Sequence, residues 1–376
     1  MSQAVSGTPE ADPLAPVRAA MIAGRVAEVL QSSEAVIVTA TDPAVVVEAV
    51  MARAEALAQV GLSPDAITLL RSTREKEKAA SRPDNAAKLS MAESALRMAS
   101  GDMSAATTAL IEAANDFGDA NDTANQIRAQ LQLAMTFAMT SQPDKVREIL
   151  PGCVAAAQQV GDPGVLAEVR HNEGSFLAAT GGDPVASFED GLRAADRSTN
   201  PIVQVQLRVD LASATARWDP IRPAELITQA EGIATALADP LISANGLGII
   251  AQGWWGLGRA ADSFRCQEQA LNRLREASAW PLFVRLAAVT ADMYTVAGRP
   301  ADAQRCTSEA LAVGRQVGGP GGEANVMIMV GQAAMQRGDR TAGQRAFSDA
   351  VRRLQAAGLP VPPQLSAALG APGSPT

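Results

Sequence analysis

The stretch Met293-Tyr-Thr-Val-Ala-Gly298 leads into Arg299-Pro-Ala-Asp-Ala-Gln304 and a long run that stops at Gly318. The same order returns at Met335-Gln-Arg-Gly338, followed by Asp339-Arg-Thr-Ala-Gly-Gln344 and a run to Gly358. The two turn glycines stand 338 − 298 = 40 residues apart. Glycine ends a helix by taking a left-handed conformation at little steric cost, and an Asp or Pro just beyond it opens the next helix. Each unit therefore reads as helix, tight turn, helix.

Working outward, turn positions recur at Gly61, Gly101, Ser141, Gly181, Asp219, Gly258, Gly298 and Gly338, with gaps of 40, 40, 40, 38, 39, 40 and 40. Seven positions before each turn stands a small residue: Ala54, Ser94, Ala134, Gly174, Ala212, Ala251, Ala291 and Gly331. Five positions after it stand Ala66, Ala106, Val146, Ala186, Ala224, Ser263, Ala303 and Gly343. These are the places where two helices of a hairpin press closest. Four before the turn the groups are larger (Leu57, Phe137, Leu177, Trp254, Tyr294), with Arg97, Thr215 and Ala334 departing from that row.

This pattern resembles the tetratricopeptide repeat, whose unit has a small residue in each helix, an aromatic in the first and a glycine turn. That family's usual unit is about 34 residues, so the unit here is longer by roughly one and a half helical turns. It is similar to the longer variant in kinesin light chains and in the sensor regions of large bacterial transcription activators. The resemblance implies an all-α fold, a right-handed α-solenoid. About eight hairpins would cover 42–358, after a partial opening repeat at 17–41. A disordered tail at 1–16 and a Pro-rich cap and tail at 359–376 complete the expected organisation. Glu34-Ala-Val-Ile-Val-Thr39 has the composition of a strand but no partner strand, so helix is expected there.

Composition agrees with helices. Apolar residues make up 47% of the chain and aromatics only 3%, so Ala, Leu, Val and Met must supply the buried surface. Alanine is the best helix former, and sheets favour β-branched and aromatic residues. The net charge of −8 and the absence of a basic stripe argue against nucleic-acid binding. Met1–Pro16 lacks the basic start and apolar core of a signal peptide. No apolar run reaches the ~20 residues that span a bilayer. A cytoplasmic chain without membrane insertion is expected.

The residues of chemistry are sparse. His171 is the single histidine, and no nucleophile motif accompanies it. There is no phosphate-binding Gly-x-x-x-x-Gly-Lys-Ser/Thr, no His-Glu-x-x-His and no calcium loop. Cys153, Cys266 and Cys306 form no Cys-x-x-Cys and read as small buried groups. No catalysis, metal or cofactor is expected. Arg71–Arg82 reads as a solvated charged face.

What remains is the inner surface. The resemblance places the residues thirteen, ten, six and three before each turn in a concave groove. In the first half these include Met51, Met91, Met98, Arg128, Met135 and His171, with Met139 close by. Methionine adapts to varied apolar partners, such as an amphipathic helix. In the second half they are Asn245 with Gln252, Arg285 with Asp292, and Asn325 with Gln332, beside Trp255. Side-chain amides can pair with the backbone of an extended peptide. The expected function is a non-enzymatic scaffold or adaptor that binds a peptide or protein. The alternative is a stand-alone ligand-sensing module related to the activator sensor regions.

Overall fold

A computed structural model describes residues 12–359, 361–362, 365 and 368–369. The chain is an all-α solenoid of tetratricopeptide-like hairpins. In order, the helices of its first half are α1 (Ala15–Ala23), α2 (Val26–Thr39), α3 (Pro43–Gln59), α4 (Ser63–Ala79), α5 (Pro83–Ala99), α6 (Met103–Asp119), α7 (Thr123–Met139), α8 (Pro143–Val160) and α9 (Pro163–Ala179). They continue with α10 (Val185–Ala195), α11 (Pro201–Thr215), α12 (Arg222–Ala236), α13 (Pro240–Gly256), α14 (Ala260–Glu276), α15 (Trp280–Val296), α16 (Pro300–Gln336) and α17 (Arg340–Ala356). Two compact units divide the chain: Met1–Met21 with Arg25–Asn172, and Ile22–Gly24 with Glu173–Thr376.

The turns explain the regular beat. Of the eight expected turn positions, Gly61, Gly101, Ser141, Gly181, Gly258, Gly298 and Gly338 all have φ between 57° and 89°. The residue after most of them donates its N–H five residues back, as Arg259 does to Trp254 and Arg299 to Tyr294, both at 2.9 Å. That bond satisfies a helix-end carbonyl that would otherwise face no donor. Ser81, Asn121 and Gly161 adopt the same conformation midway between the hairpin turns. From Gly61 to Gly181 the chain therefore turns every 20 residues. From α3 to α9 every helix has 17 residues except α8, which has 18.

Ser141 takes this left-handed conformation with a Cβ, which costs an L-residue roughly 1–2 kcal/mol. Glycine avoids the clash and loses part of the gain to backbone entropy. Ser141→Gly is therefore expected to raise stability by up to about 1 kcal/mol, read as a higher denaturation midpoint at unchanged slope.

The small residues sit where close packing needs them. All eight positions seven before the turns are buried. A Cβ on Gly174 would lie 2.4 Å from the Phe188 ring, and one on Gly331 would lie 2.5 Å from Phe347. The row five after the turns holds with two corrections. Ala186 is exposed, and Ser187 takes its buried place, because the turn before α10 carries a second glycine, Gly182. Ala224 is half-buried, and Pro223 is buried instead. There Asp219 does not turn through positive φ. It accepts the N–H groups of Ile221 and Arg222, both at 2.9 Å, and so begins α12 from an irregular loop.

Further expectations meet the structure as follows. Glu34–Thr39 is the helical end of α2. Leu14 is 4% exposed and packs with Val17 and Val29, so part of the expected tail belongs to the first hairpin; residues 1–11 lie outside the described residues. Gly318 and Gly319 leave helical geometry and split α16 into arms 300–317 and 320–336, the two halves of successive hairpins. Leu365 is buried against Phe347 and Leu354, covering the last hairpin; the tail from 370 lies outside the described residues.

The Arg71–Arg82 run is not simply solvated. Glu77 is buried and receives Arg82 at 2.6 Å and Asn85 at 2.8 Å. Arg71, Arg74 and Arg97 gather at 2.7, 3.7 and 3.4 Å around Glu93, which is 1% exposed. A buried carboxylate persists only when paired, which is why Arg97 stands where Phe137, Trp254 and Tyr294 stand in other units.

Candidate peptide-binding face

In the second unit three first helices share one design. On α13 the buried face is Ala244, Leu247, Ile250, Ala251 and Trp254. The opposite stripe is Ile242, Asn245, Ile249 and Gln252, spaced three and four apart and hence on one helix face. Forty residues on, α15 repeats it as Leu282, Arg285, Val289 and Asp292. The arm 320–336 repeats it again as Gly322, Asn325, Met329 and Gln332. Two polar rows thus flank an apolar row of Ile249, Val289 and Met329. Ile242, Leu282 and Val289 are 38–39% exposed, unusually open for such large side chains.

Five of the six residues in the polar rows lack internal partners among the described residues. Asn245, Gln252, Arg285, Asn325 and Gln332 are all exposed, and among the described residues none makes a side-chain hydrogen bond or ion pair within the chain. Asp292 differs, because Arg337 pairs with it. The first unit is the contrast. There the residues thirteen before the turns are Glu48, Lys88, Arg128 and Glu168. Each is ion-paired, Glu48 with Arg18 at 3.0 Å, Lys88 with Asp84 at 2.6 Å, and Arg128 and Glu168 with each other at 2.9 Å.

The methionines do not gather on one open face. Met51 and Met91 are half-buried against the cores of their hairpins. The Met98 sulfur accepts the Thr136 hydroxyl at 3.5 Å. Met135 and Met139 face solvent at 49% and 61% exposure. His171 is half-buried and engaged within the chain. Positions ten and three before the turn therefore wedge between helices, whereas thirteen and six point outward. The apolar row nine before the turn was absent from the sequence expectation. Stepping four residues on from Asn245, Arg285 and Asn325 would have reached it.

Trp255 packs against the core of its hairpin beside these stripes. It is half-buried and meets Phe264 edge-on at 5.8 Å, and Phe264 stacks on Tyr294 at 4.1 Å. Arg299 lies over both Tyr294 and Phe264, at 4.7 and 5.1 Å. This cluster locks α13, α14 and α15 together. Trp254 is core, at 3% exposure.

The three cysteines are buried and unbridged. Burial pushes the thiols up from 9.0, to about 11 for Cys153, about 12 for Cys266 and about 11 for Cys306. Tyr294 moves up as well, through burial and then its bond to Glu268. The folded chain thus keeps protons that the unfolded chain releases above about pH 9. Stability from these groups is complete below that pH and is lost as pH rises toward the folded values. The urea midpoint is expected to fall above pH 9, less steeply in Cys266→Ala. Among the described residues, no three His, Cys, Asp or Glu could hold a metal ion. No helix among them is long and apolar enough to cross a membrane.

No protein-family model matches the chain, and no curated protein matches it. Among solved structures it is similar to a signal transduction ATPase with a tetratricopeptide repeat sensor from Pyrococcus horikoshii. The identity is 11% and the TM-score 0.46, over 89% of this chain and 54% of that one. The chain thus spans about half the length of that protein. It is similar to the apo form of the quorum sensor NprR from B. thuringiensis at 12% identity and TM-score 0.48, over 80% of this chain and 86% of that one. A Rap protein complexed with competence and sporulation factor is similar at 8% identity and TM-score 0.45, over 95% and 93%. The repeat assignment rests on the hairpins of this chain.

Proposed function

We propose that the second unit binds an extended peptide segment of a partner protein along the stripes of α13, α15 and the arm 320–336. The observation that carries this reading is the set of four amides, Asn245, Gln252, Asn325 and Gln332, exposed and, among the described residues, without internal partners on either side of an apolar row whose central Val289 is exposed and whose Ile249 and Met329 are half-buried. An extended peptide has unpaired N–H and C=O groups along its length, and an amide side chain both donates and accepts. Main-chain bonds to the amides would hold the peptide, and Ile249, Val289 and Met329 would take its apolar side chains. On this reading the surface works by binding.

A peptide library selected against the intact chain, with counter-selection on Val289→Asp, tests the reading. Sequences that bind the first and not the second are expected. A library yielding only peptides that bind both equally would remove the support.

A further inference from the structure

Along the second helices of the second unit, arginine–glutamate pairs tie one hairpin to the next. Arg265 on α14 pairs with Glu231 on α12, and Arg305 on α16 pairs with Glu268 on α14 at 2.5 Å. Arg275 on α14 adds a second tie, to Glu309 on α16 at 2.6 Å.

One repeat further on, both ties are missing. The equivalent of Arg305 is Arg345 (305 + 40), and the equivalent of Glu268 is Ser308 (268 + 40). Arg345 is exposed and, among the described residues, makes no ion pair. Ser308 is also exposed; its oxygen accepts from Gln304 at 3.2 Å and, among the described residues, its hydroxyl donates no bond. The second tie would join Arg315 to Asp349. Instead Arg315 turns to Glu323 at 2.5 Å, and Asp349 is held by Arg353 at 2.9 Å. The arm 300–317 and α17 therefore lack the equivalents of both pairs that link α14 to the arm 300–317.

We propose that Ser308 is a phosphorylation site, and that its phosphoryl group pairs with Arg345 to tie α17 to the arm 300–317. A serine/threonine kinase using a nucleoside triphosphate would do the transfer. The Ser308 oxygen forms a bond to the γ-phosphorus, the bond from that phosphorus to the diphosphate oxygen breaks, and the hydroxyl proton passes to the kinase's base. The product places about −1.5 to −2 charges where the preceding repeat has the single charge of Glu268. Arg345 stands at the place of Arg305, one repeat on, and a phosphate accepts a guanidinium's paired donors.

Two measurements on the full chain test this. With phosphoserine installed at position 308, amide exchange across α17 is expected to slow about three- to tenfold. The effect should vanish when Arg345→Gln is added. Mass spectrometry of the protein recovered from its own cells should find phosphate on the peptide containing Ser308. Unchanged exchange, slowing that persists in Arg345→Gln, or a Ser308 peptide unmodified through all growth phases would each overturn the proposal. Glutamate exchange at the site, Ser308→Glu, provides a folded control that should slow α17 exchange less than phosphoserine does.

Discussion

Phe283→Ala is expected to remove about 3–5 kcal/mol from the stability of the second unit. The Phe283 side chain is fully buried, meets Trp280 edge-on at 6.2 Å, and carries Arg275 over its ring at 5.0 Å. Alanine would leave a cavity that stiff 17-residue helices cannot close, and it would strip Arg275 of its ring. In a stack of repeats the loss is felt most by the hairpins packed beside it. The urea curve should split, with hairpins from α15 onward melting ahead of the rest. A single transition at the wild-type midpoint would mean that Phe283 does not anchor this part of the stack.

Val289→Asp is the larger effect on function. Val289 is 38% exposed, so aspartate can reach water and the fold should tolerate it. In a bound peptide's footprint the same position lies at the centre of the apolar row, where a charge would be buried without a partner. Central interface positions commonly cost about 2 kcal/mol or more when lost. A peptide selected on the intact chain alone, without that counter-selection, should therefore bind the variant at least ~30-fold more weakly. Titration calorimetry reads this directly, with an unchanged thermal midpoint showing that the variant is folded. Met135→Asp, on the first unit, should leave the affinity unchanged.

The architecture was legible in the sequence because its signals are local. A glycine or serine every forty residues, followed by Asp or Pro, writes the turn chemistry into the chain. The buried small residues at Ala251, Ala291 and Gly331 follow from the same register. The intermediate turns at Ser81 and Asn121 were harder to see, because neither residue is the usual left-handed former. The register slipped at Ala186 and Ala224 because a one-residue change of loop length moves every later position. Sequence spacing found the outward rows of Asn245 and Gln252 but could not separate them from the wedged rows of Met51 and Met98. That distinction depends on how tightly neighbouring helices approach. Glu93 was illegible for the same reason, since Arg71 and Arg74 reach it from another helix.

Hydrogen exchange of the full chain, with and without a library-selected peptide, tests the binding face most directly. Protection is expected at 240–256, 280–296 and 320–336, with α5 and α7 unchanged. Protection centred on the α5 and α7 methionines, or on the second helices α12 and α14, would contradict the account.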